Sequence, residues 1–175
     1  AIERERRWLI RRDKMPAELR SKVGLECSDI LQGYLIGGPT PAFRLRRRHY
    51  LGPSKKGWEF TRNVKKGSGA ARDEQETEIS LEEFERLYAG VGMNFLKKKR
   101  YEILYGKHII EWDCFYEARG TAVDNYEHAE GEFPDDETMA AFIVPEWFGE
   151  EVTDDSQYSN RSIAIRGVPQ GGKSR

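Results

Sequence analysis

Residues 98–114 read Lys98-Lys99-Arg100-Tyr101-Glu102-Ile103-Leu104-Tyr105-Gly106-Lys107-His108-Ile109-Ile110-Glu111-Trp112-Asp113-Cys114. Two alternating runs flank Gly106. Successive side chains of a strand point to opposite faces, so Lys98, Arg100 and Glu102 share one face and Tyr101 and Ile103 the other. On the second run Glu111 and Asp113 oppose Ile110, Trp112 and Cys114. Gly106 marks a hairpin joining strands over 95–105 and 108–117. Half-exposed strands usually mix charge signs on the polar face, because like charges two residues apart repel. Here Glu111 and Asp113 carry one sign.

The same pattern recurs along the chain. Period-2 patterning predicts further strands over 2–10, 30–36, 42–50, 57–66, 70–79 and 126–133. Glu3, Glu5 and Arg7 share a face, as do Arg44, Arg46 and Arg48 opposite Phe43 and Leu45. Asn63 and Lys65 lie opposite Val64; Arg72, Glu74, Glu76 and Glu78 align; Glu130 and Glu132 point together. Turn signals at Gly37-Gly38-Pro39, Gly52-Pro53 and Gly67-Ser68-Gly69 separate the runs. Ser80 followed by Glu83 is a capping box opening a helix with Leu81, Phe84, Leu87 and Tyr88 on one stripe, ending at Gly90. Short helices are expected over 16–24, 135–142 and 155–165. Two arrangements satisfy these rows of charge: a solvated sheet face, or a closed barrel of eight strands bringing the rows together across a lumen. In a lumen, acidic rows suit a divalent cation and basic rows suit polyphosphate oxygens.

Composition narrows the classes. The 175 residues predict one domain, 1–166, with a flexible Gly/Lys/Ser-rich tail over 167–175. Charged residues make 34% of the chain, above the roughly 25% usual in globular proteins, while 11% aromatic content argues against disorder. No apolar run reaches a membrane span and no signal peptide is visible. Cys27 and Cys114 form no paired motif, so a disulfide scaffold, a structural zinc site and a redox pair are unsupported, and a reduced cytoplasmic setting is expected. The net charge of −1 hides a split: +9 over residues 1–100 and −10 over 101–175. An acidic tail beside a basic nucleic-acid surface, or two halves facing one site, would both produce it.

Taken together, the motifs resemble the CYTH superfamily, the triphosphate tunnel metalloenzymes. Glu3-Arg4-Glu5-Arg6-Arg7 is similar to the family's opening ExExK, with Arg7 in place of lysine. Gln32-Gly33-Tyr34-Leu35 resembles QxYL, Arg44-Leu45-Arg46 the RxR strand, and Asn63-Val64-Lys65 the TxK strand. Arg72-Asp73-Glu74-Gln75-Glu76-Thr77-Glu78-Ile79 resembles RxExExxI; Lys98–Tyr101, Glu111–Phe115 and Ala129–Glu132 are similar to KxRY, ExDxF and AExE. Pro145–Thr153 followed by Tyr158-Ser159-Asn160 resembles the ending of the short bacterial members.

This resemblance implies a mainly β, α+β fold: a closed eight-stranded antiparallel barrel with peripheral helices. It implies metal-dependent hydrolysis of a linear triphosphate, inorganic tripolyphosphate first, with Mg²⁺ or Mn²⁺. By motif, Glu3, Glu5, Glu130 and Glu132 would hold metal, and Arg44, Arg46, Lys65, Arg72, Lys98 and Arg100 the phosphates. Glu76 and Asp113 would orient water or serve a second metal. Arg7 stays protonated at any working pH, so it would clamp phosphate and not act as a base.

Thiamine triphosphate hydrolysis and adenylyl cyclisation are the alternative activities of the same fold. A binding module for polyphosphate or nucleic acid is the alternative of another class; Arg44–Arg48 and Lys97–Arg100 are basic, but no RNA-binding aromatic motif accompanies them. A homodimer is compatible with exposed aromatic surface. Gly167–Ser174 satisfies the P-loop pattern, but a P-loop needs a following helix and only Arg175 follows. Asn160-Arg161-Ser162 is read as structural and not as a glycosylation site. His49, His108 and His128 lack metal-ligand spacing and read as surface or core residues. The four tryptophans and Tyr34 are expected to pack. Glu5→Gln is expected to abolish metal-dependent release of phosphate from tripolyphosphate while leaving the circular-dichroism spectrum unchanged.

Overall fold

The computed structural model describes residues 2–38, 42–68 and 71–170, with side chains except at residues 2, 3, 65–68, 71 and 72. The alternating runs form strands β1 (Ile2–Ile10), β2 (Glu26–Leu35), β3 (Phe43–Gly52), β4 (Lys56–Ser68), β5 (Ala71–Glu78), β6 (Phe95–Tyr105), β7 (His108–Ala118) and β8 (Thr121–Glu132). A ninth strand, β9 (Phe148–Glu151), and helices α1 (Ala17–Arg20), α2 (Leu81–Tyr88), α3 (Asp136–Ala141) and α4 (Asn160–Arg166) complete a mainly β, α+β fold. No helix among the described residues is long and apolar enough to cross a membrane.

All strand pairs are antiparallel, in the order β5-β4-β3-β2-β6-β7-β8-β1-β9. β1 has an edge against β8, where Glu5 faces Glu132 and Arg7 faces Glu130. Its other edge is shared: Ile2, Glu3 and Arg4 pair with Asp73, Arg72 and Ala71 of β5, and Trp8 and Ile10 pair with β9.

Because charges occupy one face of each strand, the apolar residues line the other, and that outer face needs covering. Trp8, Ile10, Tyr101, Ile103, Ile110, Trp112 and Ala129 are buried beneath Phe133, Phe142, Trp147 and Phe148. Leu31, Phe43 and Leu45 are covered by Phe84 of α2 and by Val91. Ser80 caps α2, its Oγ accepting from the Glu83 amide at 3.1 Å. A third cluster occupies charge-face positions near the ends of β1 and β2, the start of β6 and the middle of β8: Leu9, Tyr34, Leu96 and Tyr126 meet Ile163 and Ala164 of α4.

The structure corrects several expectations. β2 starts at 26 and β8 at 121, both earlier than their apolar runs. The helix expected over 16–24 is one turn, and 155–165 splits into a 3-10 turn at Ser156–Tyr158 and α4, whose cap is Ser159. Trp8, Trp112 and Trp147 pack as expected, but Trp58 is 57% exposed, stacked on His49 with ring centres 4.0 Å apart.

Gly33 shows how closely α2's end approaches the sheet. A Cβ there would stand 2.9 Å from Val91 Cγ1 and 3.1 Å from Tyr88 Cε2. Gly33→Ala is expected to cost roughly 1–3 kcal/mol in urea unfolding through overpacking, with the unfolding slope unchanged.

Candidate active site

The charged faces converge on a cavity of ≈ 1180 Å³. β1 contributes Glu5 and Arg7, β3 Arg44, Arg46 and Arg48, β5 Glu74 and Glu76, β6 Lys98 and Arg100, and β8 Glu130 and Glu132. Gln32, Tyr34, Asn63, Glu111 and Asn160 also line it. Tyr34 therefore packs and faces the cavity at once, its hydroxyl accepting from Gln32 Nε2 at 2.6 Å.

On one side the register sets carboxylates against each other: Glu5 opposite Glu132, and Glu111 opposite Glu130. Arg7 Nη2 lies between two of them, 3.2 Å from Glu5 Oε1 and 3.1 Å from Glu130 Oε2. On the other side, Arg44 and Arg46 reach Glu76 at 3.2 and 3.5 Å. Asn63 donates to both Glu74 and Glu76. Arg48 pairs with Glu102 at 3.1 Å and donates to Ser28 Oγ at 3.0 Å.

Asp113 lies behind the cavity wall, fully buried. Arg100 Nε meets its Oδ1 at 2.8 Å, Arg100 Nη2 its Oδ2 at 3.0 Å, and Lys98 Nζ the same Oδ2 at 2.8 Å. Arg100 Nη1 extends to Glu111 at 2.7 Å, and Lys98 to Asn160 Oδ1 at 2.9 Å. Asp113, His128 and Glu130 bring one ligand atom each within 4.8 Å of one another. Both Asp113 oxygens are taken by cationic donors, so this trio sits among cations.

The surroundings shift the protonation equilibria in opposite directions. Burial pushes the Asp113 carboxyl up, but Arg100, Lys98 and a His128 hydrogen bond together hold it well below the usual carboxylate range. Burial also pushes Glu130 up, and Arg7, His128 and Lys98 overcome it in the same way. Burial pulls Lys98 down to about 8 against the attraction of Asp113. Burial, then Arg44 and Arg100, pull Arg46 down to about 10. Glu132 goes the other way: burial, then repulsion from Glu111, Glu5, Glu74 and Glu130, push it up to about 7. Glu132 is open to the cavity, where its near neighbours are carboxylates.

Among the described residues, buried side-chain atoms without a hydrogen-bond partner are Arg7 Nε, Arg44 Nε, Arg46 Nε, Thr61 Oγ1 and Asn63 Oδ1. Buried donors rarely go unpaired. Three unpaired guanidinium donors in one cavity suit anionic oxygens. Glu5, Glu130, Glu132 and Glu111 form an all-carboxylate donor set, the chemistry that a hard divalent cation takes.

Of the residues singled out from sequence, the cavity brings together Glu5, Arg7, Arg44, Arg46, Glu76, Lys98, Arg100, Glu130 and Glu132. The side chains of Glu3, Lys65 and Arg72 lie outside the described residues. Asp113 does not reach the cavity. His128, read as a scattered histidine, is buried between Asp113 and Glu130. Its parity with Glu130 and Glu132 on β8 was the available signal.

The raised Glu132 carboxyl predicts a pH dependence of stability. A group whose folded value, about 7, exceeds its ordinary 4.5 contributes stability in full below the ordinary value. That contribution is lost as pH rises through about 7. Without added cation, the melting temperature should fall less between pH 5 and pH 8 in Glu132→Gln than in the wild type.

No protein-family model matches the chain. It is 32% identical over 142 residues to the inorganic triphosphatase of Nitrosomonas europaea, covering 81% of this chain and 87% of that protein. The crystal structure of the inorganic triphosphatase NE1496 superposes with a TM-score of 0.59 at 27% identity, over 95% of this chain and 97% of that one. The PH1819 protein from Pyrococcus horikoshii, 17% identical over 79% of this chain and 82% of its own, shares the fold with a TM-score of 0.53. Motif order, a cavity lined by both signs of charge and this relationship agree: the chain belongs to the family of that triphosphatase, the triphosphate tunnel metalloenzymes of the CYTH superfamily.

Proposed function

We propose that the protein hydrolyses inorganic tripolyphosphate with a divalent cation, Mg²⁺ or Mn²⁺, inside a closed barrel of eight strands. Pairing of β1 with both β8 and β5 supports closure around the cavity. The observation that carries the reading is the unbalanced charge on its two sides: guanidinium nitrogens without partners at Arg7, Arg44 and Arg46, and a carboxylate repelled by four others at Glu132. A metal–triphosphate complex supplies both missing signs.

In this reading Glu5, Glu130 and Glu132, with Glu3, hold the cation, which when bound offsets charge developing on the phosphate oxygens. Arg44, Arg46, Lys98 and Arg100, with Lys65 and Arg72, grip the phosphates and align the chain for in-line attack. Arg7 keeps Glu5 and Glu130 together and offers its free Nε to a phosphate oxygen. Glu76, held by Arg44, Arg46 and Asn63 at the cavity surface, accepts a proton from the attacking water. Asp113 is too enclosed for that role. It fixes Arg100 and Lys98 so that they meet the substrate without rearranging.

Phosphate release from tripolyphosphate, thiamine triphosphate and ATP tests the reading directly. The expected order of kcat/KM places tripolyphosphate first, with no turnover in chelator. Tight triphosphate binding without release under either metal would make the protein a binding module. Arg46→Ala is expected to lower kcat/KM about ten- to hundredfold, mainly through KM, for loss of a charge-assisted contact. Glu76→Gln is expected to act on kcat with KM nearly unchanged.

A further inference from the structure

His128 has no exposed surface, so both ring nitrogens must be satisfied internally. Nδ1 lies 3.2 Å from the Tyr126 hydroxyl. Nε2 lies 3.0 Å from Glu130 Oε1 and 3.5 Å from Asp113 Oδ2. Two carboxylates at Nε2 require a proton there, and Nδ1 shares a hydrogen bond with the Tyr126 hydroxyl. The Phe115 ring stands edge-on at 5.0 Å and holds the imidazole plane.

Glu130 is consequently clamped at both oxygens, Oε1 by His128 and Oε2 by Arg7. Asp113 is clamped by Arg100 and Lys98. Among the described side chains, His128 is the imidazole that touches both carboxylates. Without its N–H, two buried anions would face each other with no donor between them, and Glu130 would lose the contact that sets the direction of its free lone pairs.

We propose that His128 is a positioning residue: by donating to Glu130 and bracing it against Asp113, it sets the geometry in which Glu130 binds the divalent cation. This rests on the assignment of Glu130 as a metal ligand under the proposed function. It acts through Glu130 and does not touch the ion. Outer contacts of this kind typically change metal affinity by 10–100-fold when removed.

The test is Mn²⁺ binding to the full chain without substrate, followed by electron paramagnetic resonance, alongside thermal melts in chelator. His128→Leu should weaken Mn²⁺ binding about ten- to hundredfold. His128→Gln, whose amide nitrogen can occupy the Nε2 position, should recover most of the affinity. Tyr126→Phe should fall between, because it frees Nδ1 without removing the donor. Affinity that tracks the donor at this position while the leucine and glutamine variants share one melting temperature supports positioning. Wild-type affinity in His128→Leu overturns it, as does a nitrogen hyperfine coupling on bound Mn²⁺, which would make His128 a ligand. Failure of the wild type to bind Mn²⁺ would instead overturn the assignment of Glu130 as a ligand. Should His128→Leu not fold, His128→Asn decides, because its amide reaches the Nδ1 position and not Nε2: a loss of Mn²⁺ affinity that His128→Gln does not show supports the proposal, and wild-type affinity in His128→Asn overturns it.

Discussion

A carboxylate with no exposed surface stays ionised only if cations stand against it, and Asp113 is the residue where this requirement is strictest. Its two oxygens take three contacts from Arg100 and Lys98. Those contacts exist because β6 and β7 pair in a register that sets Arg100 opposite Asp113. Breaking one partner of such a buried pair costs several kcal/mol, since the other charge is left stranded. The rest of the architecture follows from putting charge inward. Once the inner faces are ionic, the outer faces carry the apolar residues, and Trp8, Trp112 and Leu45 need a covering of helices and of the 133–148 segment.

Charge matching is complete in one part of the cavity and deliberately incomplete elsewhere. Around Asp113 and Glu130, Arg7, Lys98 and Arg100 balance the anions. Near Glu132 the neighbours are carboxylates, and near Arg46 they include Arg44, Arg48 and Arg100. Two patches of opposite excess facing one space are unstable alone and complementary to a ligand that itself carries both signs. That asymmetry distinguishes this cavity from a structural ion-pair network, where every charge finds its partner.

Much of this could be read from the alternation of residue types. Period-2 patterning located the eight long strands, because a strand with one ionic and one apolar face has an unambiguous inner side. β9 escaped because Phe148-Gly149-Glu150-Glu151 is too short to display a period; its place is set by the free edge of β1. The cavity residues were readable for the same reason as the strands. For Asp113, parity places the side chain inward without saying how deep it lies. Depth depends on Arg100 and Lys98, which reach over it. His128 was passed over because spacing along the chain was the criterion, whereas its partners are Glu130, two residues away, and Asp113 on the adjacent strand. Trp58 was expected to pack with the other tryptophans, yet α2 covers the neighbouring row at Phe60 and leaves Trp58 exposed.

The pairing of β1 sets the order in which the molecule can be assembled. β2 to β5 form a meander of local hairpins, and so do β6 to β8. The first strand waits: its partners lie on β5, β8 and β9, and Glu5 meets Glu132 only across 127 residues of chain. Closing so long a loop is slow relative to hairpin formation. Of these nine strands, β1 is therefore among the last to complete its pairing, because one of its edges waits for β8. The register that opposes Glu5 to Glu132 and Arg7 to Glu130 therefore exists only once β8 is in place, and a chain lacking β8 has neither of these facing pairs.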